Sequence, residues 1–310
     1  MATLSQALPV TAPKRRIAPP RIPWEIILFS LPALAIVFGL FIMPFIYGLD
    51  LSTHTLDSKG AIQDGRSLDN YTTFFNDQSQ IDTIVMTFQV ALPVTLFNVV
   101  LSLPLAYAMR RGIRFERFIT ALLILPITLG TVLVAQAMLI YFGRQGWFNQ
   151  TLQAIGLIHD PLRLVHNWLG VEIALFIQGF PFVFLMILGY MSGISPDLEK
   201  ASKMLGAGRW RTFWSVIFPL MLPGVAIAFC LNFVANFTVF PSAMLVGEPN
   251  ALTRVMSIAA YRAAYEQQNT PYGTAIALIM GGIEFLVVAL VLYLRSRMAR
   301  SASLGAGKGA

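Results

Sequence analysis

Residues 193–224 of the chain read GISPDLEKASKMLGAGRWRTFWSVIFPLMLPG. This stretch is a charged, glycine-centred segment between two long apolar runs. Because about 20 apolar residues span a bilayer as a helix, the segment joins two membrane helices and lies on one side of the membrane. Basic loops stay on the cytoplasmic side, and this loop carries four basic residues, Lys200, Lys203, Arg209 and Arg211. We therefore expect it to lie in the cytoplasm, where a soluble protein can bind it.

The same stretch carries signals for two helices joined by an elbow. Ser195 is predicted to cap a helix that opens with Pro196, since serine is a common cap and proline suits the first helical position. Gly206 is expected to end that helix, because glycine is the usual terminator. A second helix is predicted to start near Arg209 and to continue into the next apolar run. We expect a short rigid helix with a glycine elbow on the cytoplasmic face.

Composition places the whole chain in a membrane. Of its 310 residues 56% are hydrophobic and 12% are charged, against about 25% charged residues in soluble domains. The apolar runs are continuous rather than alternating, which favours helices over a barrel. The sequence therefore predicts an all-α membrane protein with six transmembrane helices. The predicted spans are Trp24–Leu49, Ile81–Met109, Phe118–Phe142, Val171–Ser192, Val216–Val246 and Tyr272–Leu294.

Basic residues orient the predicted helices. Sixteen of the 22 Lys and Arg residues fall in the termini and in alternate loops, and six fall in the loops between them. This asymmetry predicts that both termini are cytoplasmic. The net charge of +7 is then explained by orientation in the membrane, and we expect no nucleic-acid partner. Cys230 is the single cysteine, so no internal disulfide is possible.

Four regions follow from these predictions. Residues 1–23 are expected to be a disordered, basic cytoplasmic N-terminus. Residues 24–80 are expected to hold the first transmembrane helix and an external loop, and residues 81–294 a core of five transmembrane helices. Residues 295–310 are expected to be a cytoplasmic tail.

Polar residues inside the predicted spans are candidates for a solute pathway, since ionisable groups in a bilayer are costly and often functional. Glu284 lies near the middle of the sixth span and could face a cation or join two helices by hydrogen bonds. Asn232 and Asn236 lie one turn apart in the fifth span and could line a pathway or connect helices. Weaker candidates of the same kind are Gln89, Asn98, Gln136 and Gln178.

Enzymatic and redox functions find no support in the residues. All three histidines fall in predicted external loops, so no span offers a haem ligand or a Ser–His pair. We expect no catalytic residue, no cofactor and no metal site. An ion-coupled secondary transporter is the alternative class, but it leaves the cytoplasmic elbow without a role.

The elbow resembles the signature loop of a known family. Leu205-Gly206-Ala207 followed by Ile217, Pro219 and Leu220 is similar to the loop of transmembrane permease subunits of ATP-binding-cassette importers that work with an external binding protein. The family has Glu-Ala-Ala where this chain has Lys200, Ala201 and Ser202, with Glu199 one position earlier. Two interpretations stay open: Glu199 takes the place of the family's acidic residue, or Lys200 pairs with a different residue of the ATPase.

Further stretches resemble the same family. Residues 103–108, LPLAYA, and 146–149, GWFN, are similar to two of its other segments, and the resemblance runs from about residue 70 to 295. Leu-Gly-Ala at the elbow is similar to the branch for polyamines, iron, thiamine and phosphonates. The layout most resembles spermidine/putrescine permeases.

The resemblance implies a function and a set of partners. It implies an inner-membrane permease subunit of a bacterial importer that hydrolyses no ATP itself and forms the path for a polyamine or similar small cation. Phosphonate, iron, thiamine or opine import are the alternatives within the branch. Implied partners are ATPase subunits, a second permease subunit, an external solute-binding protein and the lipid bilayer. The implied ATPase-coupling residues are Glu199, Lys200, Ala201, Ser202, Leu205, Gly206 and Ala207.

Overall fold

The computed structural model describes residues 24–57, 60–63, 65–110, 112, 114–250 and 253–306. The N-terminus that the sequence predicts to be disordered, residues 1–23, lies outside the described residues. The chain divides into two units, the first ending at Gly48 and the second beginning at Leu49. Within the described residues every regular element is a helix, apart from one isolated bridge between Leu56 and Ile62.

The first unit is one apolar helical run. It consists of α1 (Trp24–Val37), a π-helical turn at Phe38–Ile42 and the start of α2 (Met43–Ser52). Pro44 explains the widened turn, because proline has no N–H to donate and its ring clashes with the carbonyl four residues earlier. The chain instead bonds the Met43 N–H to the Phe38 carbonyl, five residues back.

The second unit holds the remaining helices. They are α3 (Asp69–Asn76), α4 (Gln78–Met109), α5 (Glu116–Phe142), α6 (Trp147–Ala154), α7 (Trp168–Ser192), α8 (Asp197–Met204), α9 (Arg209–Thr212), α10 (Phe218–Phe237), α11 (Pro241–Leu245), α12 (Met256–Tyr261) and α13 (Thr270–Ala306). Two π-helical turns extend α9 and α12, at Phe213–Ile217 and Arg262–Glu266. The first of these two turns continues directly into α10, shortly before Pro219. We attribute this turn to the missing N–H of Pro219, as for the turn before Pro44.

Six helices among the described residues are long and apolar enough to cross a membrane, which confirms the predicted number. The predicted end of the fifth span, at Val246, was wrong. That helix runs from Arg209 to Phe237, and α11 is a separate short helix. Pro241 contributes to the break, because helical geometry is disfavoured for the residue before a proline, and Phe240 has φ −125°.

The core of the second unit forms where α4, α7 and α10 pack against one another. Glycine permits the close approach of α7 and α10. A Cβ at Gly224 would lie 2.3 Å from the ring of Tyr190, so a larger residue has no room there. Small residues at such contacts are typical of membrane helices. α13 packs against α10, α12 and α3, and its backbone stays helical through residues 295–306 of the predicted tail.

Candidate functional site

The elbow between α7 and α10 forms much as the local sequence predicts. The Ser195 hydroxyl accepts a hydrogen bond from the Asp197 N–H at 3.3 Å, which satisfies one of the free donors at the start of a helix. α8 begins at Asp197, one residue later than predicted, a difference within the usual definition of helix ends. α8 is eight residues long and ends at Met204.

Gly206 terminates α8 in the left-handed backbone region, with φ +80°. The Gly206 N–H bonds to the Lys203 carbonyl at 2.9 Å, and the Ala207 N–H bonds to the Ser202 carbonyl at 3.1 Å. These bonds satisfy the last carbonyls of the helix, as in other glycine-terminated helices. A Cβ at Gly206 would meet nothing within 4 Å. Glycine is therefore required here for backbone geometry and not for space.

One face of α8 points to solvent. Met204 and Leu205 are 88% and 89% exposed at the end of the helix. Lys200 is also exposed and lies 2.8 Å from Asp197. Their hydrogen bond raises the pKa of Lys200 and lowers that of Asp197. The exposed tip is an apolar pair beside a charged pair, available to another protein.

The other face of α8 contacts its own chain. Oε1 of Glu199 lies 3.4 Å from Nη1 of Arg110, with both side chains nearly buried. The Ser202 hydroxyl lies 3.0 Å from that of Thr212 in α9. Glu199 and Lys200 therefore point in different directions: the acid lies within the chain and the lysine faces outward. Ala201 is exposed and Ala207 half-buried.

A polar cleft of about 610 Å³ borders the inner face of α8. The ends of α4 and α7 form its other walls. Its charged lining residues are Arg110, Glu116, Glu199, Lys203 and Arg209. Arg110 was not predicted as a site residue. The available signal was its position, as a basic residue directly after an apolar span.

A second, larger groove of about 900 Å³ lies beside α9. Trp210 and Trp214 form part of its wall and pack edge to face, with ring centroids 5.8 Å apart. These tryptophans were also not predicted as site residues, although their i, i+4 spacing places them on one helix face. Tryptophan beside basic residues is typical of the membrane–water boundary, which suits the base of the elbow.

The predicted asparagine pair lies in the core between α4 and α10. Oδ1 of Asn232 accepts hydrogen bonds from Asn98 at 3.0 Å and from Asn236 at 3.1 Å. Asn236 also donates to Thr95 at 3.0 Å. All four side chains are buried. A solute would reach them only if these helices separate, so their pathway role stays a prediction.

Glu284 lies apart from this network. No hydrogen bond among the described residues joins it to Asn232 or Asn236. It is half-buried on α13, and its Oε1 is enclosed without a hydrogen-bond partner. Gly281 and Gly282, in the preceding turn, are exposed, with open space around their Cα atoms. The role of Glu284 in a solute pathway therefore stays a prediction.

A cavity of about 570 Å³ lies between α4 and α7, within the size range of small-molecule sites. Its lining includes Gln89, Phe97, Trp168 and Glu172. Among the described residues that line this cavity, Glu172 is the one that carries a charge. One turn separates it from Trp168, so the carboxylate and the indole share a helix face. This combination suits a cation, which is attracted both to carboxylates and to aromatic faces.

The fold and the elbow define a class: a multi-pass helical membrane protein whose connection between two spans forms an exposed, glycine-terminated helix. Residues 98–300 match the model of the family described as "binding-protein-dependent transport system inner membrane component". The chain belongs to this family. It is a multi-pass inner membrane protein and the permease subunit of an ATP-binding-cassette importer.

Individual relatives cover most of the chain. It is 26% identical over 280 residues to a probable ABC transporter permease of Brucella abortus biovar 1 (strain 9-941), covering 86% of this chain and 93% of the relative. It is 25% identical over 218 residues to the sulfate transport system permease CysT of Escherichia coli (strain K12), covering 69% and 76%.

The fold is also similar to a solved structure. The similarity to a bacterial ABC transporter involved in import of the acidic polysaccharide alginate has a TM-score of 0.75 at 19% sequence identity. It covers 88% of this chain and 96% of that chain. At this identity the similarity concerns the fold alone.

Proposed function

We propose that α8 is the element through which an ATPase subunit drives this permease from the cytoplasmic side. The observation that carries the proposal is the exposed tip of α8 at Met204 and Leu205. Gly206 follows this tip directly, in the left-handed backbone region, and ends the helix there. Exposed apolar side chains on a short rigid helix favour docking into a groove of another protein. Both termini would then be cytoplasmic, as the distribution of basic residues favours.

The proposal includes two further partners. A second permease subunit, identical or related, would complete the pathway, and an external binding protein would deliver the solute. Support comes from the family description, which names binding-protein-dependent transport. Further support comes from the alginate transporter, which was solved in complex with a pentasaccharide-bound periplasmic protein.

Reconstitution tests the ATPase-driven role. Vesicles carrying the permease, its cognate ATPase and the binding protein should take up solute only when ATP is supplied on the ATPase side. The matched control replaces the ATPase with a hydrolysis-deficient variant that still binds. Uptake that continues with this variant, or without any ATPase, and that follows an ion gradient would favour the ion-coupled secondary transporter and exclude the proposal.

We propose a small cation as the solute. Support comes from the cavity that combines Glu172 with Trp168 and from the enclosed Glu284 oxygen. One named relative belongs to a sulfate transport system, and the structurally similar transporter imports alginate, so polyamine specificity has no support from them. The proposal rests on the chemistry of this chain's own residues, and a sulfate or sugar solute is the competing outcome.

Isosteric substitutions test the solute class. Glu172→Gln and Glu284→Gln remove the negative charge and keep the size of the side chain. If the solute is a cation that meets these groups, uptake of putrescine or spermidine should fall about tenfold or more, as expected for loss of one charged contact. Asp160→Asn, which removes one exposed charge from the loop after α6, is the matched control. Unchanged cation uptake in both variants, or uptake of sulfate instead, would remove the cation proposal and leave the permease role intact.

A further inference from the structure

One guanidinium group joins three segments at the base of α8. Arg110 follows the last residue of α4, and its Nη1 lies 3.4 Å from Oε1 of Glu199 in the first turn of α8. Its Nη2 donates a hydrogen bond to the carbonyl of Ile194, in the turn between α7 and α8. A single side chain therefore holds the end of α4, this turn and α8 together.

Burial makes this contact resistant to separation. The Arg110 and Glu199 side chains are 9% and 12% exposed, so water and salt screen their attraction weakly. Separating such a pair leaves buried charges without compensation, which is strongly unfavourable. The same cleft is lined by two further basic residues, Lys203 and Arg209, and by one further acid, Glu116. A displacement of α8 is therefore expected to move the end of α4 with it.

A second contact links α8 to a different membrane helix. The hydroxyl of Ser202 lies 3.0 Å from that of Thr212, and α9 continues without interruption into α10. Glu199 and Ser202 are three residues apart on α8, so both lie on the face that contacts the chain. Among the described residues, α8 thus has an ionic link to the end of α4 and a neutral link, through α9, to α10, and a substitution can remove either of these two links separately.

We propose that Arg110 and Glu199 are a positioning pair that transmits movement of α8 to α4, while Ser202 transmits it to α10. The inference rests on the proposed docking of an ATPase on α8. In this arrangement the acidic residue of the elbow acts inside the permease and not on the ATPase. Lys200, Met204 and Leu205 remain for contact with the partner.

Site-specific labelling tests the two links separately. In a Cys230→Ser background, a single cysteine is placed at Val85 on α4 or at Leu231 on α10, which are 50% and 47% exposed. Each cysteine is spin-labelled in detergent, the permease is then assembled with its ATPase in lipid nanodiscs, and the mobility of the label is measured with and without ATP plus vanadate. In the wild-type sequence the label should change its mobility at both positions when nucleotide is trapped.

The variants should separate the two responses. In Glu199→Gln the nucleotide-dependent change at Val85 should fall at least fivefold, while the change at Leu231 stays within twofold. Ser202→Ala is the matched control and should affect Leu231 more than Val85. Combining Arg110→Glu with Glu199→Arg should restore at least half of the response at Val85. If Glu199→Gln does not assemble, Arg110→Lys, which keeps the charge but cannot bridge both partners, takes its place.

Other results would overturn the inference. Equal loss at both reporter positions would indicate general damage to the elbow, and a full response at Val85 in Glu199→Gln would show that the pair transmits nothing. A wild-type complex that binds the ATPase but shows no change at Val85 would also refute the link. A wild-type permease that does not bind the ATPase would refute the docking role itself, which separates that failure from failure of the link.

Discussion

Backbone geometry at Gly206 yields a quantitative prediction for ATPase binding. Its φ of +80° lies in the left-handed region, which costs a residue with a Cβ about 1–2 kcal/mol. No steric term adds to this, because a Cβ there would meet nothing within 4 Å. If the partner binds the elbow in this conformation, Gly206→Ala should weaken ATPase binding by about 5- to 30-fold, the equivalent of that free energy.

Two further variants separate backbone strain from steric obstruction by the partner. Gly206→Asn should bind better than Gly206→Ala, because asparagine tolerates the left-handed region; a partner that merely clashes with a larger side chain would reverse this order. Gly208→Ala is the matched control. Gly208 has φ −66° and open space around its Cα atom, so binding should stay within about twofold.

Titration of the ATPase onto nanodisc-embedded permease measures these affinities. Membrane insertion and elution volume should be the same for all variants, since the glycines lie outside the packed core. Binding of Gly206→Ala within twofold of the wild type would refute the reasoning. An equal loss for Gly208→Ala would also refute it.

Two more predictions concern the core, with unfolding in detergent as the measurement. Gly179→Ala should destabilise the protein by about 1–3 kcal/mol, because its Cβ would lie 2.5 Å from Nδ2 of Asn98 and 2.7 Å from Nδ2 of Asn232. In the control Gly189→Ala, on the same helix, the new Cβ meets open space, so the protein should gain up to about 1 kcal/mol of stability. Equal effects of the two substitutions would contradict the packing described here. Asn232→Ala removes the acceptor of two buried hydrogen bonds and should lower stability by about 1–2 kcal/mol. Thr238 is exposed and bonded to its own helix, so Thr238→Ala should change stability by less than about 0.5 kcal/mol. Unchanged stability of Asn232→Ala would favour the interpretation that Asn232 lines a pathway.

Local signals were sufficient for part of the candidate site. The start of α8 and its terminator at Gly206 depend on side chains and backbone within a few residues. Gly206 ends the helix where the sequence predicts it, and α8 begins one residue later than predicted, at Asp197. The end of the fifth span was missed because the residues after Phe237 remain apolar, so hydropathy continues where the helix does not. Pro241 lies just after that break, but a proline alone does not predict one, since Pro181 and Pro223 lie inside continuous helices of this chain.

The sequence by itself determined the six membrane helices and the elbow between the fourth and fifth spans, because apolar run length and helix termination are properties of neighbouring residues. Tertiary structure decided which side of the elbow faces the chain. Glu199 and Lys200 are adjacent in sequence, and helix geometry separates their directions by about 100°. Only the packing of α8 against Arg110 and Thr212 determines which of the two is buried. The same holds for Asn232, whose partner Asn98 comes from a distant helix that no local pattern identifies.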